Sequence, residues 1–195
     1  PSEQAAADTI QRYLLLATGA RLPAVKEPAD IQGAILSVGH TELARQAGLA
    51  QEDLVLDGYR LLAKGNVVFV FGRDLPFDPA KTSKWAGTRG TYRASFAFLK
   101  RLGFRWLAPG DKGTHIPDFP DKTVAAPDEL DVTHRPAFAF SISRFDRYGD
   151  WSWANGFGTP AKIYLHGGHT WDVFVPAALW GEHPEYFAMD THGQR

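Results

Sequence analysis

A chain of 195 residues with 44% hydrophobic content is long enough to bury a real core, as one large domain or as one small domain plus part of another. Its 21 basic and 22 acidic residues leave a formal net charge of -1, which offers no broad positive field to a phosphate backbone, so nucleic acid is not an expected partner. The absence of cysteine excludes disulfides, thiolate metal sites and cysteine nucleophiles, and no apolar run reaches the length of about 18 residues needed to span a bilayer.

In chain order, Ser2 to Ala17 predicts a helix. Ile10, Tyr13, Leu14 and Ala17 recur at i, i+3, i+4 and i+7, Ser2 is a candidate N-cap and Gly19 a stop. The stretch carries neither the basic nor the apolar region of a signal peptide, so any export signal is expected to have been removed already. Three apolar runs predict strands of one sheet: Gly33 to Val38 (GAILSV), Tyr59 to Ala63, and Asn66 to Phe71 (NVVFVF). Lys64-Gly65-Asn66 between the last two predicts a hairpin. A second helix is expected from near Gly87 to Arg101, with Tyr92, Phe96 and Leu99 on one stripe lying across the sheet and Gly103 ending it. A short strand at Phe104 to Leu107 would complete an α+β layer.

From Pro109 the texture changes. Pro117, Pro120 and Pro127 punctuate a loop in which Lys122 to Ala125 and Leu130 to Thr133 are the strand candidates, and His134-Arg135-Pro136 reads as a junction. Ala137 to Ser143 (AFAFSIS) predicts a buried strand, and 13 of the 25 aromatic residues fall between His134 and Arg195. The division expected is an α+β domain over 1–134 and a differently built segment over 135–195.

Several stretches resemble a known architecture: "LLATGARLPAV", "AILSVGH", "DGYRLLAKGNVVFVFGRD" and above all "GTRGTYRASFAFLKRLGFRWLAPGDKGTHIP". They are similar to the small α+β domain that precedes the barrel in β-N-acetylhexosaminidases and α-glucuronidases. With "RPAFAFSISRF", "GGHTWDVFVP" and "HPEYFAMDTHGQR", the chain most resembles the domain-of-unknown-function 4838 family of bacterial glycoside-hydrolase-like proteins. The resemblance implies a domain like hexosaminidase domain 2 followed by the opening of a (β/α)8 barrel, with Ala137 to Ser143 as first barrel strand. A full barrel takes about 250 residues, so the chain reads as truncated. Catalytic carboxylates, which these families carry on middle or later strands, are expected beyond Arg195. The resemblance further implies a carbohydrate substrate and a periplasmic or extracellular location. A non-catalytic carbohydrate-binding or scaffold protein is the alternative.

Read from the residues, the last third suits a sugar. Aromatic faces cover the apolar side of a pyranose, and convergent polar groups bond its hydroxyls. Trp151, Trp153, Trp171 and Trp180 offer faces, although Trp153 and Trp180 read better as core and Trp171 suits either role. Arg144, Asn155, His166 and His169 offer hydrogen bonds, so Arg144, Asn155, His166, His169 and Trp171 are the expected substrate-binding residues. Arg144 would follow the first barrel strand and could clamp a carboxylate or equally pair with Asp146. Glycosidases need two carboxylates about 5 to 10 Å apart. Asp146, Asp150, Asp172, Glu182, Glu185 and Asp190 show no spacing that singles out such a pair and read as solvated or capping groups. His166-Gly-Gly-His169 is too glycine-rich for a helical metal pair, so neither a metal nor a cofactor is expected. Gly87-Thr-Arg-Gly90 could hold an anion at a helix N-terminus, but it lacks a phosphate-loop pattern and reads better as a tight helix start.

Overall fold

The computed structural model describes residues 2–25, 33–74, 89–125, 129–137, 149–157 and 174–194. Helix α1 spans Ser2–Thr18, where an alanine-rich first half favours helix and the stripe Ala6, Ile10, Tyr13, Leu14 and Ala17 is buried. The Gly19 N–H donates to the Leu15 carbonyl at 2.8 Å and closes it, as expected. Ser2 is already helical, and its hydroxyl reaches out of the helix to Asp74 instead of capping it.

Strands β1 (Ile35–Val38), β2 (Tyr59–Lys64), β3 (Val67–Gly72) and β6 (Asp131–His134) form one sheet in the order β1-β3-β2-β6. The β2–β3 hairpin pairs Lys64 with Val67 and Tyr59 with Gly72, so Gly65 and Asn66 alone make the turn. Gly65 takes φ +61°, the left-handed conformation that a two-residue hairpin turn demands. β1 runs parallel to β3, with Val38 opposite Val70. The connection between β1 and β2 includes helix α2 (Glu42–Gln46), whose start is fixed by Thr41, the side chain of which accepts from the Ala44 N–H at 3.1 Å.

Strand alternation divides the hydrophobic residues between two faces. Leu61 and Val70, cross-strand partners, join Ile10, Tyr13 and Leu14 of α1 and Ala94, Phe98 and Leu99 of helix α3 (Gly90–Arg101) in the main core. Phe69 and Phe71 belong to a second cluster with Ala44 of α2 and Leu54. α1 and α3 also pack against each other. Each buried Leu, Ile, Val or Phe among them contributes about 1.5–3 kcal/mol by leaving water, so these two clusters supply most of the drive to fold.

An aromatic knot finishes the main core. Strand β4 (Arg105–Trp106) pairs with β5 (Thr114–His115), and Trp106 meets Tyr13 edge-on at 5.1 Å and Phe96 at 5.2 Å. The Trp106 Nε1–H donates to the Tyr13 hydroxyl at 2.8 Å, which in turn donates to Asp150 Oδ2 at 2.7 Å. Burial foremost, reinforced by the Asp150 carboxylate, pushes the Tyr13 phenol up to about 12. Asp150 opens helix α4 (Gly149–Ala154), which packs on α3, and it also pairs with Arg12. Tyr13→Phe is therefore expected to cost about 1–3 kcal/mol in urea unfolding, because it strands the buried Trp106 donor. An unchanged midpoint would mean that the chain of hydrogen bonds adds nothing.

The expected helices and strands before residue 108 are present as an α+β layer, except that α3 begins at Gly90 and not near Gly87, because Arg89 has a non-helical backbone and is bridged to Asp74. The strand expected at Lys122–Ala125 is absent: Lys122 takes φ +54° and donates to the Phe119 carbonyl at 2.8 Å, so the chain turns there. α2, β5 and α4 were not anticipated. Beyond Ala137, the strand expected to Ser143 lies outside the described residues. The chain divides into two compact units, Pro1–Lys162 and Ile163–Arg195. The described part of the second holds two short 3-10 helices, Ala177–Gly181 and Pro184–Tyr186. Among the described residues, no helix is long and apolar enough to cross a membrane.

Candidate functional site

The N-terminal end of α3 gathers the ionisable groups of the first unit. Gly90 lets this end sit directly on the sheet: the Gly90 N–H donates to the Arg73 carbonyl at 3.3 Å, and the Arg73 N–H to the Gly58 carbonyl at 2.9 Å. Two carboxylates then meet the first free N–H groups of the helix. Asp57 Oδ1 accepts from the Arg89 N–H at 3.0 Å, and Asp74 Oδ1 from the Thr91 N–H at 3.1 Å. Negative charge is favoured at this pole of a helix. The anion considered for Gly87 to Gly90 is thus supplied from within the chain, by two aspartates.

Asp57 is the more enclosed. Its side chain is 5% exposed and bonded through Oδ2 to Arg93 Nε at 3.0 Å, while the Arg93 and Arg89 guanidinium groups lie over the Trp153 ring at 5.5 and 5.1 Å. Burial raises the Asp57 carboxyl above the ordinary carboxylate range, against the pull of Arg93. Asp74 is raised for the same first reason, opposed by its bonds to Thr91 and Ser2. Its Oδ1 takes both the Thr91 N–H and the Ser2 hydroxyl, at 3.1 and 3.2 Å, whereas its buried Oδ2 has no hydrogen-bond partner. Glu3 and His40 stand next to it. Glu3 Oε1 accepts from the His40 backbone N–H at 2.7 Å and contacts His40 Nδ1 at 2.7 Å, and the His40 ring lies edge-on to Phe71 at 4.7 Å.

Of the expected sugar-binding residues, Asn155 alone is described. Its Nδ2 donates to the Trp106 carbonyl at 3.0 Å and the Trp151 carbonyl at 2.8 Å, which braces α4 against β4. Arg144, His166, His169 and Trp171 lie outside the described residues. Trp153 is packed edge-on against Tyr92 at 5.3 Å, as its core reading expects. Trp180, also read as core, is 43% exposed and meets Phe187 edge-on at 5.1 Å. Three of the candidate carboxylates have structural partners: Asp150 holds Tyr13 and Arg12, Glu185 contacts His183 Nδ1 at 3.0 Å, and Asp190 caps a turn by accepting from the His192 and Gln194 N–H groups at 2.8 and 2.9 Å.

The sequence offered one unread signal for the aspartate and histidine positions. Neighbouring parallel strands end on the same edge of a sheet, so polar residues just past β1 (Gly39-His40) and β3 (Arg73-Asp74) must meet, but the parallel pairing has to be known first. Comparisons of the chain with protein-family models, with curated proteins and with solved structures find no match.

Proposed function

We propose that this chain is the N-terminal part of a bacterial carbohydrate-active protein, exported to the periplasm or beyond. In this reading it belongs to a glycoside hydrolase that acts on a poly- or oligosaccharide, with an α+β domain like hexosaminidase domain 2 leading into the opening of a (β/α)8 barrel. The observation that carries the proposal is the aromatic display of the second unit. Phe174, Trp180 and Tyr186 are 69%, 43% and 47% exposed, and His183 stacks on Tyr186 at 4.8 Å with 10° between the planes. Exposed flat rings beside polar hydrogen-bonding groups suit a pyranose face. In sequence they directly follow His166, His169 and Trp171, the residues proposed to bond the sugar.

The chemistry proposed is acid/base cleavage of a glycosidic bond by two carboxylates. In this reading the pair lies beyond Arg195; the structural contacts of Asp150, Glu185 and Asp190 are compatible with that, and they equally suit the second reading, a binding or scaffold protein without catalysis. The full-length gene product, incubated with a panel of neutral, amino- and uronic-acid oligosaccharides, separates the two. New reducing ends support the hydrolase. Binding without release, seen as a tryptophan fluorescence change that Trp180→Ala removes, supports the scaffold. A product that neither binds nor cleaves any of them ends the carbohydrate reading.

A further inference from the structure

Glu3, His40 and Asp74 come from three separate places, the first turn of α1, the turn after β1 and the residue pair after β3, yet one potential ligand atom from each lies within 4.8 Å of the others. We propose that these three side chains form a binding site for a divalent transition-metal ion of the zinc class. One imidazole nitrogen and two carboxylate oxygens are a donor set that suits such ions, with water free to complete the shell.

One feature of the structure points to a ligand there, and a second holds Glu3 in place for it. The first is the orphaned oxygen. Asp74 Oδ1 is anchored by the Ser2 hydroxyl and the Thr91 N–H, which fixes the plane of the carboxylate, and the buried Oδ2 is left with no donor. A buried acceptor without a partner costs about 1–3 kcal/mol, and this one stands near a second carboxylate, so a cation would both satisfy it and offset the paired negative charge. The Ser2 and Thr91 bonds are the kind of outer support that orients a ligating carboxylate.

The second feature is a cradle at Gly39. A Cβ built on this residue would lie 2.5 Å from Cγ, Cδ and Oε1 of Glu3, so the Glu3 carboxylate occupies space that only glycine leaves open. There it bonds the His40 N–H and meets the His40 ring, while Phe71 steadies that ring from its edge. The three groups lie just past the carboxyl ends of the parallel strands β1 and β3, the edge of a sheet where ligands characteristically bind. A tetrahedral zinc shell places its ligand atoms about 3.4 Å apart, so occupancy by an ion draws the trio closer overall while opening the 2.7 Å contact between Glu3 Oε1 and His40 Nδ1.

The test uses the full-length product without a histidine tag, stripped with chelator and titrated with Zn2+ alone by calorimetry. Asp74→Asn keeps the oxygen that accepts from Ser2 and Thr91 but removes the charge, and Glu3→Gln is the second variant, close in shape. His40→Ala removes the imidazole, and His183→Ala, outside the trio, serves as reference. The expected result is that wild type and His183→Ala bind one more Zn2+ per chain than the three site variants, or bind it at least tenfold more tightly, with a Zn2+-dependent rise in Tm that the site variants lose. Equal stoichiometry, affinity and Tm response in wild type, Asp74→Asn, Glu3→Gln and His40→Ala would overturn the proposal, and so would the absence of any Zn2+ uptake by the wild type. Neither result touches the carbohydrate reading, which is tested on the other unit.

Discussion

Gly90→Ala is expected to be among the most damaging single-methyl changes in the first unit, lowering stability by about 3 kcal/mol or more and abolishing expression of folded protein if the domain is marginal. The added Cβ would lie 2.5 Å from the Arg73 nitrogen, 2.6 Å from the Gly58 oxygen and 2.7 Å from the Arg73 oxygen. All three are backbone atoms of strand ends that are themselves hydrogen-bonded, so no rotamer change relieves the overlap. The facing position is equally tight, since a Cβ on Gly72 would come within 2.0 Å of the Gly90 carbonyl carbon. Only a retreat of α3 from the sheet makes room, and that retreat pulls the Thr91 and Arg89 N–H groups off Asp74 and Asp57. Gly181→Ala, with nothing within 4 Å of its Cβ, is the matched control and is expected to stay within about 0.5 kcal/mol of the wild type. Chemical denaturation of the three proteins measures both. A Gly90→Ala midpoint equal to that of the control would mean that the helix and sheet do not meet as closely as described.

Arg93→Ala is expected to cost about 3–5 kcal/mol, because it removes one partner of an ion pair whose carboxylate is 5% and whose guanidinium is 13% exposed. Asp57 would keep the hydrogen bond from the Arg89 N–H, and the Trp153 ring would lose the Arg93 guanidinium that lies over it. The loss is expected to depend on pH in a definite sense. Burial already holds the Asp57 carboxyl above its unfolded value, with Asp74 adding to the rise and Arg93 and the Arg89 N–H opposing it. Removing Arg93 raises it further. A group with a raised folded value contributes stability that is fully present below the unfolded value of about 3.9 and is lost as pH rises through the folded value. The stability gap between wild type and Arg93→Ala should therefore narrow as pH falls from 7 towards 4. Asp57→Asn in the Arg93→Ala background should recover part of the loss at pH 7 by removing the unpaired charge. A gap that is constant with pH, or a double variant no better than Arg93→Ala, would show that Asp57 is solvated and the pair superficial.

The elements with a clear period were legible in the sequence because burial there is one-sided. Ile10, Tyr13 and Leu14 repeat at helical spacing and face the core, and NVVFVF turns back from YRLLA through a glycine that must take positive φ. Short elements held by single contacts were not legible. α2 depends on one threonine cap, α4 on its packing against α3, and β5 on pairing with two residues of β4, none of which leaves a periodic trace. Lys122–Ala125 looked like a strand from composition, yet the local turn at Lys122 decides against it.

By itself, then, the sequence determined which faces are apolar, where the long helices end, and which residue types are on hand near the C-terminus, because these follow from local propensity and from the period of hydrophobic residues. The tertiary structure alone decided which polar residues meet. Glu3, His40 and Asp74 are separated by dozens of residues and share an edge only because β1 and β3 pair in parallel beneath α1. Asp57 and Asp74 flank the start of α3 only because two glycines let helix and strand touch backbone to backbone. Long-range pairing is set by the burial of the whole core, and no short window of residues contains it.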